Sequence, residues 1–261
     1  MTAAPEGPAG AAAVKSADRV LTLLEYLADV KTASFGAIVN DLKLPNSSAH
    51  QLLQTVLHRG FIEFEESTRS FRLGFRLWEI AQSYAIEGDL VTLAQPLMDE
   101  LTTTTTETVQ LAKLDGLENV YLAISESPHP MKLVSAVGMR LSSHATGLGK
   151  VLLGGLSDAE LERRLDGVDL EKYTDSTITD HQRLIAEVRR ARSRGYGEDN
   201  GEYVLGCRCV AMPVHDSRGD VVAALSVSVP SPRYNQKVAR DVRHALRETV
   251  SRLEKRLGVP G

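Results

Sequence analysis

The segment from Pro45 to Gly60 constrains the fold more than any other part of the chain. Its apolar residues recur at the spacing of one helical face, at Ala49, Leu52, Leu53 and Val56. The opposite face carries hydroxyl, amide and imidazole groups in place of the lysine and glutamate that are usual on a surface helix. Such groups can donate and accept hydrogen bonds at base edges in a major groove. The pattern therefore indicates a candidate recognition helix for DNA.

Two further helices precede this segment, and a hairpin follows it. The predicted elements are helices from Ser16 to Ala28 and from Ser34 to about Leu42, a cap of the third helix at Asn46 or Ser47, a stop at Gly60, and a hairpin with its tip at 66–70. Three helices and a two-stranded wing are typical of a winged helix-turn-helix domain, which we predict for residues 14–74.

The predicted DNA contacts are Ser47, Ser48, His50, Gln51 and Gln54 on the third helix, Arg59 at its end, and Arg69 and Arg72 on the wing. We expect Arg59 and Arg72 to meet phosphates, and Arg69 to touch the backbone or the minor groove. Residues 1–90 hold eight Lys/Arg against eleven Asp/Glu, so this half of the chain is not basic overall. A winged helix that binds protein instead of DNA remains the alternative.

Composition limits the other classes of protein. The net charge of −4 provides no general attraction to nucleic acid, so any affinity for DNA must come from local placement and from dimerisation. Two cysteines cannot form a disulfide framework, and no apolar run approaches the ~20 residues of a membrane span. Residues 1–13 are rich in Ala, Pro and Gly, which predicts a disordered tail and not a signal peptide. We expect a cytoplasmic protein with no membrane partner.

Residues 75–88 are predicted to form a linker helix that is apolar over much of its surface. A helix of this kind needs a partner, which is either its own domain or a second copy of the chain. We favour the second copy, and therefore a homodimer. Gly88 and Asp89 are expected to break the chain, with Asp89 capping the next helix to roughly Thr104.

The second half alternates strands and helices, which predicts an α+β domain over residues 89–258. The predicted strands are 108–114, 119–125, 131–137, 210–215 and 221–229, and the predicted helices are 146–153, 157–165, 181–194 and 235–257. The last helix carries a run of Arg and Lys, which we interpret as a solvated face, with a contact to the DNA backbone as the alternative.

Polar groups at three places in this domain point to a pocket for a small molecule. Ser226 and Ser228 share one face of an apolar strand, and Cys207 and Cys209 share a face shortly after Asp199 and Glu202. The segment 143–150 opens a helix with glycines, and free N–H groups at a helix start suit a carboxylate. Together these groups supply donors for carboxylate oxygens.

Two other functions could use the same residues. Cys207, Cys209, Asp199 and His215 could hold zinc, although the usual paired Cys or His spacings are absent. A cysteine-dependent hydrolase is the second alternative, although nothing in the sequence indicates an activated thiolate. We therefore predict no enzymatic activity, no metal and no cofactor.

At several motifs the chain resembles the IclR-type bacterial transcriptional regulators, over roughly Val14 to Tyr234. The motifs are 194–199 with Gly206, 209–214, Gly219 with 222–228, 144–150, and Tyr173 and Thr174 with 177–179. They occur in the order typical of the family.

The resemblance implies a winged helix-turn-helix joined by a linker helix to a GAF-like effector-binding domain, usually in a dimer or a dimer of dimers. It implies a regulator, more often a repressor than an activator, that binds a pseudo-palindromic double-stranded DNA operator and senses a small organic acid or aromatic compound. Carried over by motif, the effector-binding positions are Gly147, Leu148, Asp199, Cys209, Ser226 and Ser228, with Leu133 and Leu141 as an apolar wall. The chain departs from the family at Asn200 to Glu202, where an acidic pair is common, and in a third helix without Arg or Lys. We therefore expect an altered pocket rim and an unusual operator.

Overall fold

The computed structural model describes residues 14–82 and 85–259. The chain divides between Ala85 and Ile86 into two compact units. The elements of the first unit are α1 (Lys15–Val30), β1 (Ala33–Ser34), α2 (Phe35–Asp41), α3 (Asn46–His58), β2 (Ile62–Glu65), β3 (Ser70–Leu73) and α4 (Phe75–Gln82).

The first unit is a three-helix domain with a small antiparallel sheet in the order β1-β3-β2. Its core forms where the apolar stripes of the three helices meet the sheet, at Leu23, Leu27, Ile38, Leu53, Val56, Ile62 and Phe71. Ser34 caps α2, since its side chain accepts a hydrogen bond of 3.3 Å from the backbone N–H of Ala37. These features agree with the predicted winged helix-turn-helix.

The predicted cap of the third helix at Asn46 or Ser47 is wrong. Pro45 occupies the cap position in an extended conformation, and no side chain caps the helix. Asn46 is the first residue of α3. The proline ring fixes φ at about −65°, which suits the entry into a helix, so α3 starts one or two residues earlier than a cap at Asn46 or Ser47 would place it.

The second unit contains the remaining elements. They are α5 (Ala85–Thr105), β4 (Thr108–Asp115), β5 (Glu118–Ser125), β6 (Arg140–Ser142), α6 (Gly147–Leu153), α7 (Asp158–Leu165), α8 (His181–Arg194), β7 (Gly197–Asn200), β8 (Cys207–His215), β9 (Val221–Pro230) and α9 (Gln236–Arg256). The six strands form one antiparallel sheet in the order β6-β5-β4-β9-β8-β7.

Alternation along the central strands divides the sheet into two faces. One face packs on α5 and α9 through residues such as Val109 and Val227 on the strands and Leu246 on α9. The other face packs on α6 and α8 through smaller residues such as Ala112, Ala211 and Ala224. Ser226 and Ser228 follow Ala224 at alternate positions of β9, so they share this second face.

The predicted strand from Met131 to Val137 is wrong. Residues 131–139 form an irregular segment in which Met131, Val134 and Val137 are exposed, and the edge strand β6 begins only at Arg140. Pro128 and Pro130 precede the segment and lack the N–H groups that strand pairing requires. The alternating apolar residues alone could not reveal this.

The predicted break at Gly88 and Asp89 is also wrong, because α5 is helical from Ala85 to Thr105. A glycine inside a helix costs only about 1 kcal/mol. Burial of Leu90, Ala94 and Leu97 against the sheet outweighs that cost. The predicted linker helix thus falls on α4 and the start of α5, and its residues 83 and 84 lie outside the described part of the chain.

Among the helices of the described ranges, none is long and apolar enough to cross a membrane.

Candidate functional site

The outer face of α3 presents the polar side chains that the sequence singled out. Ser47, His50, Gln51 and Gln54 are exposed and Ser48 is half-buried. The other side of the helix is buried at Ala49, Leu53 and Val56. The helix therefore offers a row of hydrogen-bonding groups to whatever approaches it.

The three candidate phosphate-binding arginines differ in their surroundings. Arg59 and Arg69 are exposed and make no ion pair with any residue in the described ranges. Arg72 is held by Glu63, with 2.9 Å between Nη2 and Oε2. Glu63 also accepts a hydrogen bond from the backbone N–H of Phe75, and this bond and Arg72 lower the pKa of its carboxyl. The ionised Glu63 therefore offsets part of the charge that Arg72 can offer to a phosphate, which the sequence did not indicate.

A cavity in the second unit brings together all eight residues predicted for effector binding. The cavity is nearly closed, with a volume of about 20 Å³, so a ligand larger than a water molecule must displace some of the lining side chains. The lining residues are Leu133, Leu141, Gly147, Leu148, Asp199, Cys209, Ser226 and Ser228, together with Tyr121, Thr146, Tyr203, Val204 and Cys207. Leucines and tyrosines form an apolar wall, and the serines, the thiols and Asp199 supply the polar groups.

The two serines are held by a residue that sequence reasoning missed. Gln110 on β4 is 0% exposed, and its Oε1 accepts hydrogen bonds from Ser226 Oγ at 3.0 Å and from Ser228 Oγ at 3.1 Å. Its position opposite Ser226 follows from the pairing of β4 with β9. A glutamine within a largely apolar strand could have drawn attention to Gln110. Its contact with the serines depends on the strand pairing, which could not be deduced from the sequence.

The Cys209 thiol beside the serines is not an activated nucleophile. Cys209 Sγ lies 3.1 Å from Ser228 Oγ and 4.0 Å from Cys207 Sγ. The contact with Cys207 and burial raise the pKa of the Cys209 thiol well above its usual value. His215, the proposed zinc ligand, has its Nδ1 bonded to Glu254 Oε1 at 2.6 Å. The described residues contain no group of three or more His, Cys, Asp or Glu that could hold a metal ion.

The start of α6 lies at the cavity and is fixed by its own side chains. Thr146 Oγ1 accepts a hydrogen bond from the N–H of Gly149 at 2.9 Å and donates one to Asn119 Oδ1 at 2.7 Å. A Cβ on Gly197 of β7 would lie 2.7 Å from the backbone O of Gly147. The close approach of α6 to β7 thus depends on a glycine, and it brings the first N–H groups of the helix to the cavity wall.

Gly149→Ala is expected to destabilise the second unit by about 3 kcal/mol, because the added methyl has no free space. Its Cβ would lie 2.1 Å from Ser143 Cα and 2.2 Å from Ser143 O, both backbone atoms. Thermal denaturation followed by circular dichroism measures the loss. Gly36→Ala in α2 is the control, since its Cβ would meet no atom within 4 Å. Equal melting temperatures for the two variants would contradict the predicted clash.

Asp199 carries the titratable carboxyl of the cavity. It is 3% exposed, and its Oδ1 accepts a hydrogen bond from the N–H of Glu202 at 2.6 Å. Burial raises its pKa from 3.8 to about 6. Behind it, the buried Lys150 pairs with Glu202 and donates a hydrogen bond to Glu198 O at 2.9 Å. The cavity rim on β7 therefore rests on a buried ion pair.

The raised pKa of Asp199 predicts a loss of stability as the pH rises from about 4 to about 6. In that window the unfolded chain releases the Asp199 proton while the folded protein retains it. Asp199→Asn keeps an oxygen for the Glu202 N–H and removes the titration. Across this window we expect the unfolding free energy of the wild type to fall relative to that of Asp199→Asn. Urea denaturation of both proteins at several pH values measures the difference. Parallel curves for the two proteins would contradict the assignment.

Comparisons with known proteins match both units. The family model described as "Bacterial transcriptional regulator IclR C-terminal" matches residues 82–255, and the IclR helix-turn-helix domain matches residues 16–66. The transcriptional regulator XynR of Escherichia coli is 32% identical over 95% of this chain and 98% of its own length. The transcriptional repressor AllR of Salmonella typhi is 30% identical over 98% of this chain and 94% of its own length.

A solved structure supports the same assignment. An IclR homologue from Microbacterium hydrocarbonoxydans, complexed with 4-hydroxybenzoate, matches with a TM-score of 0.83 and 27% identity over 93% of this chain and 99% of that chain. The relatives are named as regulators and not as enzymes. The chain therefore belongs to the IclR family and is a DNA-binding transcriptional regulator with an N-terminal helix-turn-helix domain and an IclR-type C-terminal domain.

Proposed function

We propose that this protein is a ligand-responsive repressor that senses a small organic acid, aliphatic or aromatic, in the cavity of its C-terminal domain. The observation that carries the proposal is that serine hydroxyls, the start of α6 and an apolar wall all line one cavity. An acid has a charged end that needs donors and a carbon body that needs apolar contact. The 4-hydroxybenzoate bound by a homologue and the repressor name of AllR support this choice of ligand class and direction.

The DNA-binding form is a homodimer, alone or paired as a dimer of dimers, and it binds a pseudo-palindromic operator. Phe75 and Trp78 on α4 support this proposal, because they are 60% and 56% exposed and their rings stack at 4.9 Å. Two large aromatic side chains on one exposed face favour association with a second copy. The α3 helices of the two copies then enter major grooves at the two half-sites.

Ligand binding changes the affinity for DNA only as far as the ligand prefers one arrangement of the dimer over the other. The residues around α4 and the start of α5 connect the two domains and carry that change. A ligand that binds both arrangements equally leaves the operator bound.

Gln51→Ala and Arg69→Ala are expected to affect DNA binding differently. Gln51 is exposed on α3, so its loss should relax specificity by ~1–3 kcal/mol at one base pair. Arg69 on the wing has no ion-pair partner within the described residues, so its loss should weaken binding to all sequences alike and lower the salt slope by ~1. Affinities for an operator series with single substitutions separate the two results. An equal loss on every sequence for Gln51→Ala would refute the division of roles.

The regulator itself is tested by fluorescence anisotropy on the DNA upstream of its own gene, across a salt series. Specific binding should survive competitor DNA and weaken linearly in log–log form with salt. If this DNA does not bind, fragments selected from the whole genome replace it, in the presence and absence of small acids. Failure to select any sequence under both conditions would contradict the proposed function.

A further inference from the structure

Gln110 controls the hydrogens of the two serines in the cavity. A hydroxyl has one hydrogen, and both Ser226 and Ser228 donate theirs to Gln110 Oε1, at 3.0 Å and 3.1 Å. The Cys209 thiol is then the donor in its 3.1 Å contact with Ser228 Oγ. In this arrangement the serines offer lone pairs to the cavity and no hydrogen. A carboxylate, which only accepts hydrogen bonds, finds no donor there.

A half-turn of the Gln110 carboxamide reverses this polarity. In the structure, before any such turn, Gln110 Nε2 donates a hydrogen bond to Ser135 Oγ at 3.4 Å. Ser135 lies on the segment that also carries Leu133 of the cavity wall. After the turn, Nε2 faces the serines and donates to them, and their hydrogens become free for a ligand. Oε1 then accepts from the Ser135 hydroxyl. The number of hydrogen bonds within the protein is unchanged, but the two freed hydroxyl hydrogens are buried and have no acceptor until an acid supplies one. A bound acid therefore favours the turned arrangement.

We propose that Gln110 is a positioning residue that decides whether the serine pair accepts or donates, and so selects between acids and neutral donors as ligands. The inference rests on the proposed function, since it names how the same cavity recognises a carboxylate. Binding an acid at the serine pair requires the carboxamide to turn. The turn replaces Gln110 Nε2 by Gln110 Oε1 as the partner of the Ser135 hydroxyl. Recognition of the acid is thereby linked to the segment 131–139.

Three pairs of probes test the proposal by isothermal titration of the full chain. They are acetate and acetamide, lactate and lactamide, and 4-hydroxybenzoate and 4-hydroxybenzamide. Gln110→Glu accepts from both serines but, when ionised, cannot donate, so its Kd for acids should rise about tenfold or more while its Kd for amides is retained. Gln110→Met neither accepts nor donates, so it frees both hydroxyls and should bind acids at least as tightly as wild type. Measurements at pH 7 and pH 9 include conditions that ionise a buried glutamate.

The controls separate this role from a structural one. Gln182→Glu adds the same charge at an exposed position of α8 and should leave every Kd unchanged. Loss of acids and amides alike in both Gln110 variants would mean that Gln110 only supports the fold, which would overturn the inference. Unchanged acid binding in Gln110→Glu at both pH values would overturn it and leave the proposed function intact. If Gln110→Glu does not fold, Gln110→Met decides alone through retention or loss of acid binding. Binding of none of the three acids by wild type would overturn the proposed ligand class, and the inference with it.

Discussion

Replacing Ser226 and Ser228 together by alanine is expected to raise the Kd of an acidic ligand at least about 100-fold, because each hydrogen bond to a charged group contributes about 1.5–3 kcal/mol. Both hydroxyls line the cavity, and both are buried on one face of β9. The loss should appear in isothermal titration of the acid. Affinity for operator DNA without ligand should stay unchanged, since both residues belong to the C-terminal unit.

Ser251→Ala provides the matched control, because Ser251 is exposed on α9. It should alter neither the affinity for the acid nor the response of DNA binding. A double serine variant that still binds the acid and still responds to it would show that the cavity is not the effector site.

Lys150→Met is expected to destabilise the second unit by about 3–5 kcal/mol, the usual cost of leaving a buried charge without its partner. Lys150 is 1% exposed, and its partner Glu202 is also buried. Urea denaturation followed by circular dichroism measures the loss. The double variant Lys150→Met with Glu202→Leu should recover part of it, because neither charge is then left alone.

Arg252→Ala tests whether burial is the cause. Arg252 pairs with Glu100 at 2.6 Å, but both side chains are about half exposed, at 50% and 55%. Loss of an exposed pair should cost less than about 1 kcal/mol. Similar losses for Lys150→Met and Arg252→Ala would contradict the importance of the buried pair.

Elements with strong periodicity could be predicted from the sequence because one physical signal determined each of them. The helix at His181–Arg194 has an apolar stripe between a capping Asp180 and a left-handed Gly195, and its predicted bounds agree with the structure. The alternation along β9 likewise assigned Ser226 and Ser228 to the same face. Capping residues and helical periodicity were sufficient to predict the helix, and the period of two along a strand was sufficient to predict the shared face.

The failures come from interactions between distant segments. Residues 131–137 have the alternation of a strand, but prolines before them and the short pairing of β6 prevent one. Gly88 is a helix breaker in isolation, yet packing of α5 on the sheet overrides it. Gln110 could not be found because its role depends on which strands are neighbours, and the commitment of Arg72 to Glu63 depends on the register of the wing.

The central claim is that an acid bound in the cavity changes the affinity for DNA. The direct measurement is the anisotropy of labelled operator bound to wild-type protein, titrated with each acid that binds the protein. We expect at least one acid to release the operator, with a half-point that follows its Kd for the free protein, and no release from the Ser226→Ala, Ser228→Ala variant. An operator that remains equally bound at saturation with every such acid would contradict the account.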